Sequence, residues 1–284
     1  MTLAVGARLQ RVLPQRLLCR FIYAISRSRS AAVKAPLIAW FHRHYRVDLS
    51  EAEKPLPGDY ATFNDFFTRA LKPGARTIAG DPAGIVSPCD GTLTEFGVLD
   101  RGRMIQAKGM EYAVTALLDE SAEAAAPFAD GHYATIYLAP HDYHRVHAPV
   151  AGMLVRTRYI PGERYSVNRA TASTIAGLFC RNERVVCWFD CVFGPLAVVL
   201  VGALNVSSLA TVTRGEIASG PPREWPEAPP AAFDKGAEIG RFNLGSTVIV
   251  LFPKGAIRWS TALRNGTAVS MGALLGTRNA PAAG

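Results

Sequence analysis

The sequence predicts an α+β protein with a predominantly β core, sandwich- or barrel-like, preceded by amphipathic helices. Three observations carry this prediction. From about residue 84 onward, short apolar runs of strand length are punctuated by Gly and Pro. The one clear helical pattern in that region is "MEYAVTALLDESAEAAA" (110–126). Before residue 47, basic and apolar side chains alternate at helical spacing. A chain of 284 residues with 49% hydrophobic composition can bury a substantial core. The patterning divides it into a basic helical segment, 1–60, and a β-rich domain, 61–284.

The net charge of +8 is unevenly placed. Arg8, Arg11, Arg16, Arg20, Arg27, Arg29, Lys34, Arg43 and Arg46 all precede the first acidic residue, Asp48, and beyond them 22 basic side chains face 23 acidic ones. A basic N-terminal segment meeting an anionic surface fits this asymmetry, and a whole domain shaped for nucleic acid does not. Leu9, Val12, Leu13, Leu17, Leu18, Phe21, Ile22 and Ile25 give one apolar helical face, followed by Leu37, Ile38, Trp40 and Phe41. Pro14 and Pro36 are expected at breaks or first turns. No run of 18 apolar residues occurs, so a peripheral interfacial segment is expected in place of a membrane span. Packing of these helices on the protein's own core and an organellar transit peptide are the competing readings. No secretory signal is recognisable, which places the protein on the cytoplasmic side.

Further along, "TFNDFFTRALKPGARTI" (62–78) reads as a short helix capped by Thr62 or Asn64 and closed near Pro73-Gly74. Strands are expected in "HYATIYLA" (132–139), "GMLVRTRYI" (152–160), "RVVCWFDCVF" (184–193) and "LAVVLVGALNVSSLATVT" (196–213). "SPCDGTL" (87–93) and "APVAGML" (148–154) share Pro, Gly and Leu at the same offsets, an internal echo of a turn before a strand. "GPPREWPEAPPAAF" (220–233) is expected as an exposed connection. The five cysteines match no zinc spacing and read as buried free thiols.

Three stretches hold candidate chemistry. Asp90 lies beside Gly91 on a turn, a place where carboxylates are also common without function. His141, His144 and His147 recur every third residue between Pro140 and Pro149. No acidic or Cys partner stands at a recognised metal spacing, so no metal is expected. "FNLGSTVIVLF" (242–252) opens a strand with Gly245-Ser246-Thr247, which taken alone is a turn. Asp90, His147 and Ser246 nevertheless supply the types for an acid that orients a base and a base that activates a hydroxyl.

"SPCDG", "YLAPHDYHRVHAPV", "PGERYSVN", "LFCRNERVV", "GPLAVVLVGALNVSS" and "EIGRFNLGSTVIVLF", with "FNDFFTRALKPGAR" and "KGMEYAVTALL", together resemble the bacterial phosphatidylserine decarboxylases, pyruvoyl enzymes of phospholipid synthesis. The resemblance runs from roughly residue 10 to 260. It implies that Ser246 attacks the Gly245 carbonyl, that the chain splits between 245 and 246, and that Ser246 becomes a covalent pyruvoyl cofactor. A glycine before the attacking serine gives the oxygen access. By the same resemblance, His147 is the base of self-cleavage and Asp90 its orienting partner. A Schiff base with phosphatidylserine then loses carbon dioxide, His144 supplies the proton, and phosphatidylethanolamine is released.

His141 receives no role, and the loop Tyr165–Asn168 and Thr247 receive weaker ones. The implied partners are phosphatidylserine, an anionic membrane surface at the cytoplasmic face, the protein's own two chains, and a second copy in a homodimer. Two other classes stay open at this point: a self-processing serine hydrolase using Asp90, His147 and Ser246, and a non-catalytic β-sandwich carrier or interaction module.

Overall fold

Seven consecutive residues of "STVIVLF" are buried, and they form the strand Ser246–Phe252 inside an eight-stranded antiparallel sheet. Such a continuous apolar run has no solvated face to offer and therefore takes a central position. The computed structural model describes residues 15–203 and 208–279. In order across the large sheet lie Arg223–Phe233, Gly152–Ile160, Arg184–Cys191, Gly194–Gly202, Ser246–Phe252, His132–Leu138, Gly91–Val98 and Thr267–Val269. Two edges remain open, so the sheet is not a closed barrel. A second sheet orders Gly215–Ile217, Ser208–Thr211, Glu238–Asn243 and Arg145–His147, and a third orders Gly84–Val86, Leu274–Arg278 and Ile257–Trp259. The protein is β-rich α+β, as the sequence predicts.

The internal echo corresponds to a duplicated structural unit. Gly91 pairs with Val269 as Gly152 pairs with Phe233. Ile85 pairs with Gly276 as Val146 pairs with Gly240, and both ladders slip at the same place. The two copies also exchange equivalent bonds: Val86 N–H donates to the Pro149 carbonyl (3.0 Å) and His147 N–H to the Pro88 carbonyl (2.7 Å). Ile78 sits between them against Gly236 and Gly272, both at φ +86°, where an added Cβ would lie 2.8 and 2.7 Å from its Cδ1. Only glycine satisfies both the left-handed backbone and that close approach.

Helix α1 spans Gln15–Ser26 and α2 spans Ala31–Tyr45. Pro36 does not break α2 but lies inside it, at its sixth residue, where the ring removes one N–H without ending the helix. The short α3, Phe63–Phe67, is capped by the Thr62 hydroxyl, which accepts from Asp65 N–H at 3.0 Å. Phe41 of α2 packs edge-on against Phe63, Phe66 and Phe67 of α3, forming an apolar cluster separate from the sheet core. Leu244, from the far end of the chain, belongs to this helical cluster. No helix among the described residues is long and apolar enough to cross a membrane.

Two further expectations need correction. The stretch 110–126 is not one helix: Met110–Ala113 is a strand, and Val114–Leu118 and Ala122–Ala125 are short helices separated by Asp119 at φ 54°. The Pro-rich stretch is exposed but not a mere connection. It contains the edge strand Arg223–Phe233, whose ladder shifts between Pro226 and Ala231. An edge tolerates prolines because one side of the strand needs no donors. The cysteines are free thiols, with Cys19, Cys89 and Cys187 buried and Cys180 and Cys191 half-buried.

Candidate active site

Ser246 opens the central strand, and its backbone is held between Leu138 and Gly202. The residue is 1% exposed, and its Oγ makes no hydrogen bond to the described residues. A buried hydroxyl usually finds a partner, so one without is a candidate for chemistry. The two residues before it both have positive φ, Leu244 at 89° and Gly245 at 61°. Positive φ costs a glycine nothing and a leucine a good deal.

A cavity of about 420 Å³ opens beside this turn and is lined by Gly245, Ser246, Leu138, Trp40 and Phe67, among others. Residues from α1 and α2, including Ile22 and Leu37, also line it, so the basic helices and the Gly-Ser pair share one apolar space. Ser166, Val167 and Asn168 reach the same cavity, which places the "YSVN" loop at the site.

His144 is fully buried and stacks on Phe67, with ring centroids 4.0 Å apart. Its Nε2 lies 3.1 Å from the carbonyl of Ala139, the residue after Leu138, the strand partner of Ser246. A carbonyl only accepts, so Nε2 carries the proton and Nδ1 keeps its lone pair. That Nδ1 is buried and makes no hydrogen bond to the described residues. Burial, helped by the nearby Arg69 guanidinium, pushes the ring down to about 3, so it is neutral at physiological pH.

His147 lies on the strand Arg145–His147, in the second sheet. Its Nδ1 donates to the Gly236 carbonyl at 2.8 Å, and Nε2, 3.1 Å from the Tyr143 hydroxyl, accepts from it. Burial lowers its pKa, while Glu238 and Asp90 act through space in the other direction. Tyr143 is itself pushed up to about 12 by burial, which keeps its hydroxyl a donor.

Asp90 is buried near His147, but the structure does not join the two by a hydrogen bond. Its carboxylate receives Arg76 at both oxygens, Nε to Oδ1 at 3.0 Å and Nη2 to Oδ2 at 2.5 Å, and also Met271 N–H at 2.8 Å. Arg76 reaches Glu51 as well, at 2.6 Å. A bidentate guanidinium is the stronger partner, and the Gly236 carbonyl takes the orienting contact on His147. Nor does a hydrogen bond link His147 to Ser246, whose hydroxyl has no partner among the described residues. His141 lies apart, its side chain 55% exposed and 3.5 Å from Asp142.

Sequence reasoning missed Arg76, Tyr143, Gly236 and Phe67. Arg76 and Phe67 lie inside motifs quoted above, yet nothing in their spacing points to Asp90 or His144. Tyr143 stands among the histidines, but its position shows no role until the segment's fold is known.

Comparison with known proteins identifies the family. The family model described as phosphatidylserine decarboxylase matches residues 63–277, and a second, described as PSD, matches 6–46. The phosphatidylserine decarboxylase proenzyme of Ectopseudomonas mendocina is 48% identical over 274 residues, covering 94% of this chain and 96% of the relative. That of Methylibium petroleiphilum is 47% identical over 268 residues (93% and 94%), and that of Bordetella avium 49% over 257 (88% and 86%). With both ends of the chain matched, the amphipathic helices as well as the β-rich part, the chain belongs to the phosphatidylserine decarboxylase family.

Proposed function

We propose that this chain decarboxylates phosphatidylserine to phosphatidylethanolamine and carbon dioxide, using a pyruvoyl group made from Ser246 by self-cleavage after Gly245. The observation that carries the reading is the buried Ser246 hydroxyl, without a partner among the described residues, on a residue that directly follows a Gly at φ 61° and lines an apolar cavity. The relatives' printed designation, proenzyme, supports a processed chain. The residues present fit the group, because hydroxyl, glycine and cavity coincide. When formed, a pyruvoyl ketone would condense with the lipid's primary amine and draw off the electrons left by departing carbon dioxide.

In self-cleavage, Ser246 Oγ attacks the Gly245 carbonyl carbon, the peptide C–N bond breaks, and the hydroxyl proton passes to the amine of residue 246. Loss of the α-proton of residue 246 then expels the Gly245 carboxylate, and water replaces the nitrogen as ammonia. His147 offers Nε2 as the basic atom, and taking the Ser246 proton requires the Tyr143 bond to be exchanged. Asp90 favours the protonated ring through space from its clamp on Arg76. In decarboxylation, His144 Nδ1 is the atom that takes up a proton from solvent, transiently, and passes it to the carbon that carbon dioxide leaves. Its low basicity makes that transfer favourable.

The apolar cavity wall suits the lipid, and the segment 1–60 with its basic and exposed aromatic side chains suits an anionic membrane at the cytoplasmic face, with 61–284 as the catalytic domain. The two chains made by cleavage remain together as neighbouring strands of one sheet, and the working form is a homodimer of that pair.

Ser246→Ala tests the reading. It is expected to give one uncut chain that releases no carbon dioxide from phosphatidylserine vesicles, whereas the unaltered chain gives two fragments and activity. Cleavage persisting in Ser246→Ala would remove the serine from the mechanism.

A further inference from the structure

Leu244 holds a backbone that leucine avoids. Among the described non-glycine residues, Arg46, Arg101, Lys108 and Asp119 have φ between 49° and 54°, inside the left-handed well, whereas Leu244 stands at 89°. Bulky side chains are genuine outliers there, and such outliers persist only where the surroundings over-determine them.

Three fixed points surround this one. Upstream, Asn243 ends a strand of the second sheet, and its backbone pairs with Ser208. Its side chain donates to Ser208 Oγ at 2.7 Å and accepts from Asn64 of α3 at 3.1 Å. Downstream, Ser246 is clamped between Leu138 and Gly202 in the large sheet. The chain crosses from one sheet to the other in only two residues, Leu244 and Gly245. The third point is the Leu244 side chain itself, 7% exposed and packed in the helical cluster with Phe63 and Phe67. Among the described residues it is the one member of that cluster from beyond residue 67.

We propose that Leu244 is a positioning residue for self-cleavage: its side chain, anchored among the α2 and α3 aromatics, holds the Gly245 carbonyl in a strained turn against the Ser246 hydroxyl. The proposal rests on the self-cleavage reading above. Converting the Gly245–Ser246 amide to an ester replaces a stiff planar link with a more flexible one and lengthens the connection by the serine side-chain atoms, so the turn loses constraint as the C–N bond breaks. The strain therefore favours the ester and is removed when residue 245 becomes a chain end. Leu244 and Gly245 also line the cavity, so the same release clears space in front of residue 246.

The test follows cleavage at the 245–246 junction of freshly folded full-length chain, with and without hydroxylamine at neutral pH, which there cuts an ester but not an amide; a cut at Asn265-Gly266 is told apart by fragment mass. Leu244→Gly, which removes both anchor and strain, is expected to slow cleavage at least tenfold, spontaneous and hydroxylamine-driven alike. Leu244→Met, which keeps an apolar anchor and a Cβ, is expected to stay within threefold. Thermal midpoints are read in the uncleavable Ser246→Ala chain. If Leu244→Gly does not fold, Leu244→Asn, which accepts positive φ but cannot join the apolar cluster, is judged by the same tenfold criterion.

A folded Leu244→Gly chain that cleaves within threefold of the unaltered one would overturn the proposal. So would a Leu244→Met chain as slow as Leu244→Gly. Hydroxylamine restoring the Gly variant to the unaltered rate would also overturn it, by placing Leu244 after the ester step. An unaltered chain that never cleaves would sink the self-cleavage reading itself, and this proposal with it.

Discussion

His144 shows how one side chain's surroundings set its chemistry. The ring is buried, stacked on Phe67, bonded at Nε2 and, among the described residues, unpartnered at Nδ1. Burial holds it neutral down to about pH 3, whereas an unfolded chain protonates it below its ordinary 6.5. In that window the unfolded state binds more protons. The stability His144 confers is therefore complete above pH 6.5 and is lost as pH falls from 6.5 toward 3, at about 1.4 kcal/mol per pH unit. In the uncleavable Ser246→Ala chain, adding His144→Gln is expected to flatten the pH dependence of denaturant unfolding between pH 6.5 and 4.5 by about one proton. Equal slopes would mean that the ring is not held neutral. Leu244 is the other residue whose environment works against its own preference, at a cost on the order of 1–3 kcal/mol for an outlying backbone.

At the scale of elements, the site is a junction. The central strand supplies Ser246, the second sheet supplies His147, the turn before Gly91–Val98 supplies Asp90, and α3 supplies Phe67 beneath His144. Polar contacts tie α1 to the same place: Arg27 donates to Ser208 Oγ at 3.1 Å and pairs with Glu216 at 2.9 Å, and Ser208 in turn holds Asn243. The outward faces of α1 and α2 carry Phe21 at 63% exposure and Trp40 at 53%. If these helices meet the membrane, Phe21→Ala and Trp40→Ala should each weaken binding to anionic vesicles by roughly 1 kcal/mol, about fivefold. Self-cleavage of Phe21→Ala should be unchanged, since Phe21 does not line the cavity beside the Gly-Ser turn. Unchanged vesicle binding in the double variant would move the membrane contact to another surface.

Much of this was legible in the sequence, for physical reasons. Continuous apolar runs such as "AVVLV" and "VIVLF" can only be buried strands, and Thr62 before an apolar run is a helix cap. The two Pro-Gly turns gave away the duplicated unit because the same local geometry needs the same residues. The 110–126 segment misled because its composition favours helix throughout, while tertiary pairing of Met110–Ala113 with Arg103–Ala107 wins part of it for a strand. The candidate residues could be named from types and order, but not their partners. That Arg76 clamps Asp90, or that Gly236 orients His147, depends on contacts between residues far apart in sequence. Leu244 gave no signal at all, because a leucine before Gly-Ser carries no mark of its backbone angle.

For the whole molecule, the proposed function makes the helical cap lipid-facing and puts the scissile bond where that cap meets the β core. Cutting there leaves two chains whose strands remain neighbours in the large sheet, so the cut does not dismantle the core. On the proposed mechanism it also makes a reactive ketone where the chain began with a hydroxyl. The most direct test of this central claim is the intact mass of the purified protein under denaturing conditions, with one aliquot treated with a carbonyl-reactive reagent. The account predicts two chains, the larger ending at Gly245 and the smaller beginning at position 246, with only the smaller gaining the reagent's mass. A single chain that gains nothing, and that stays whole on incubation, would contradict it.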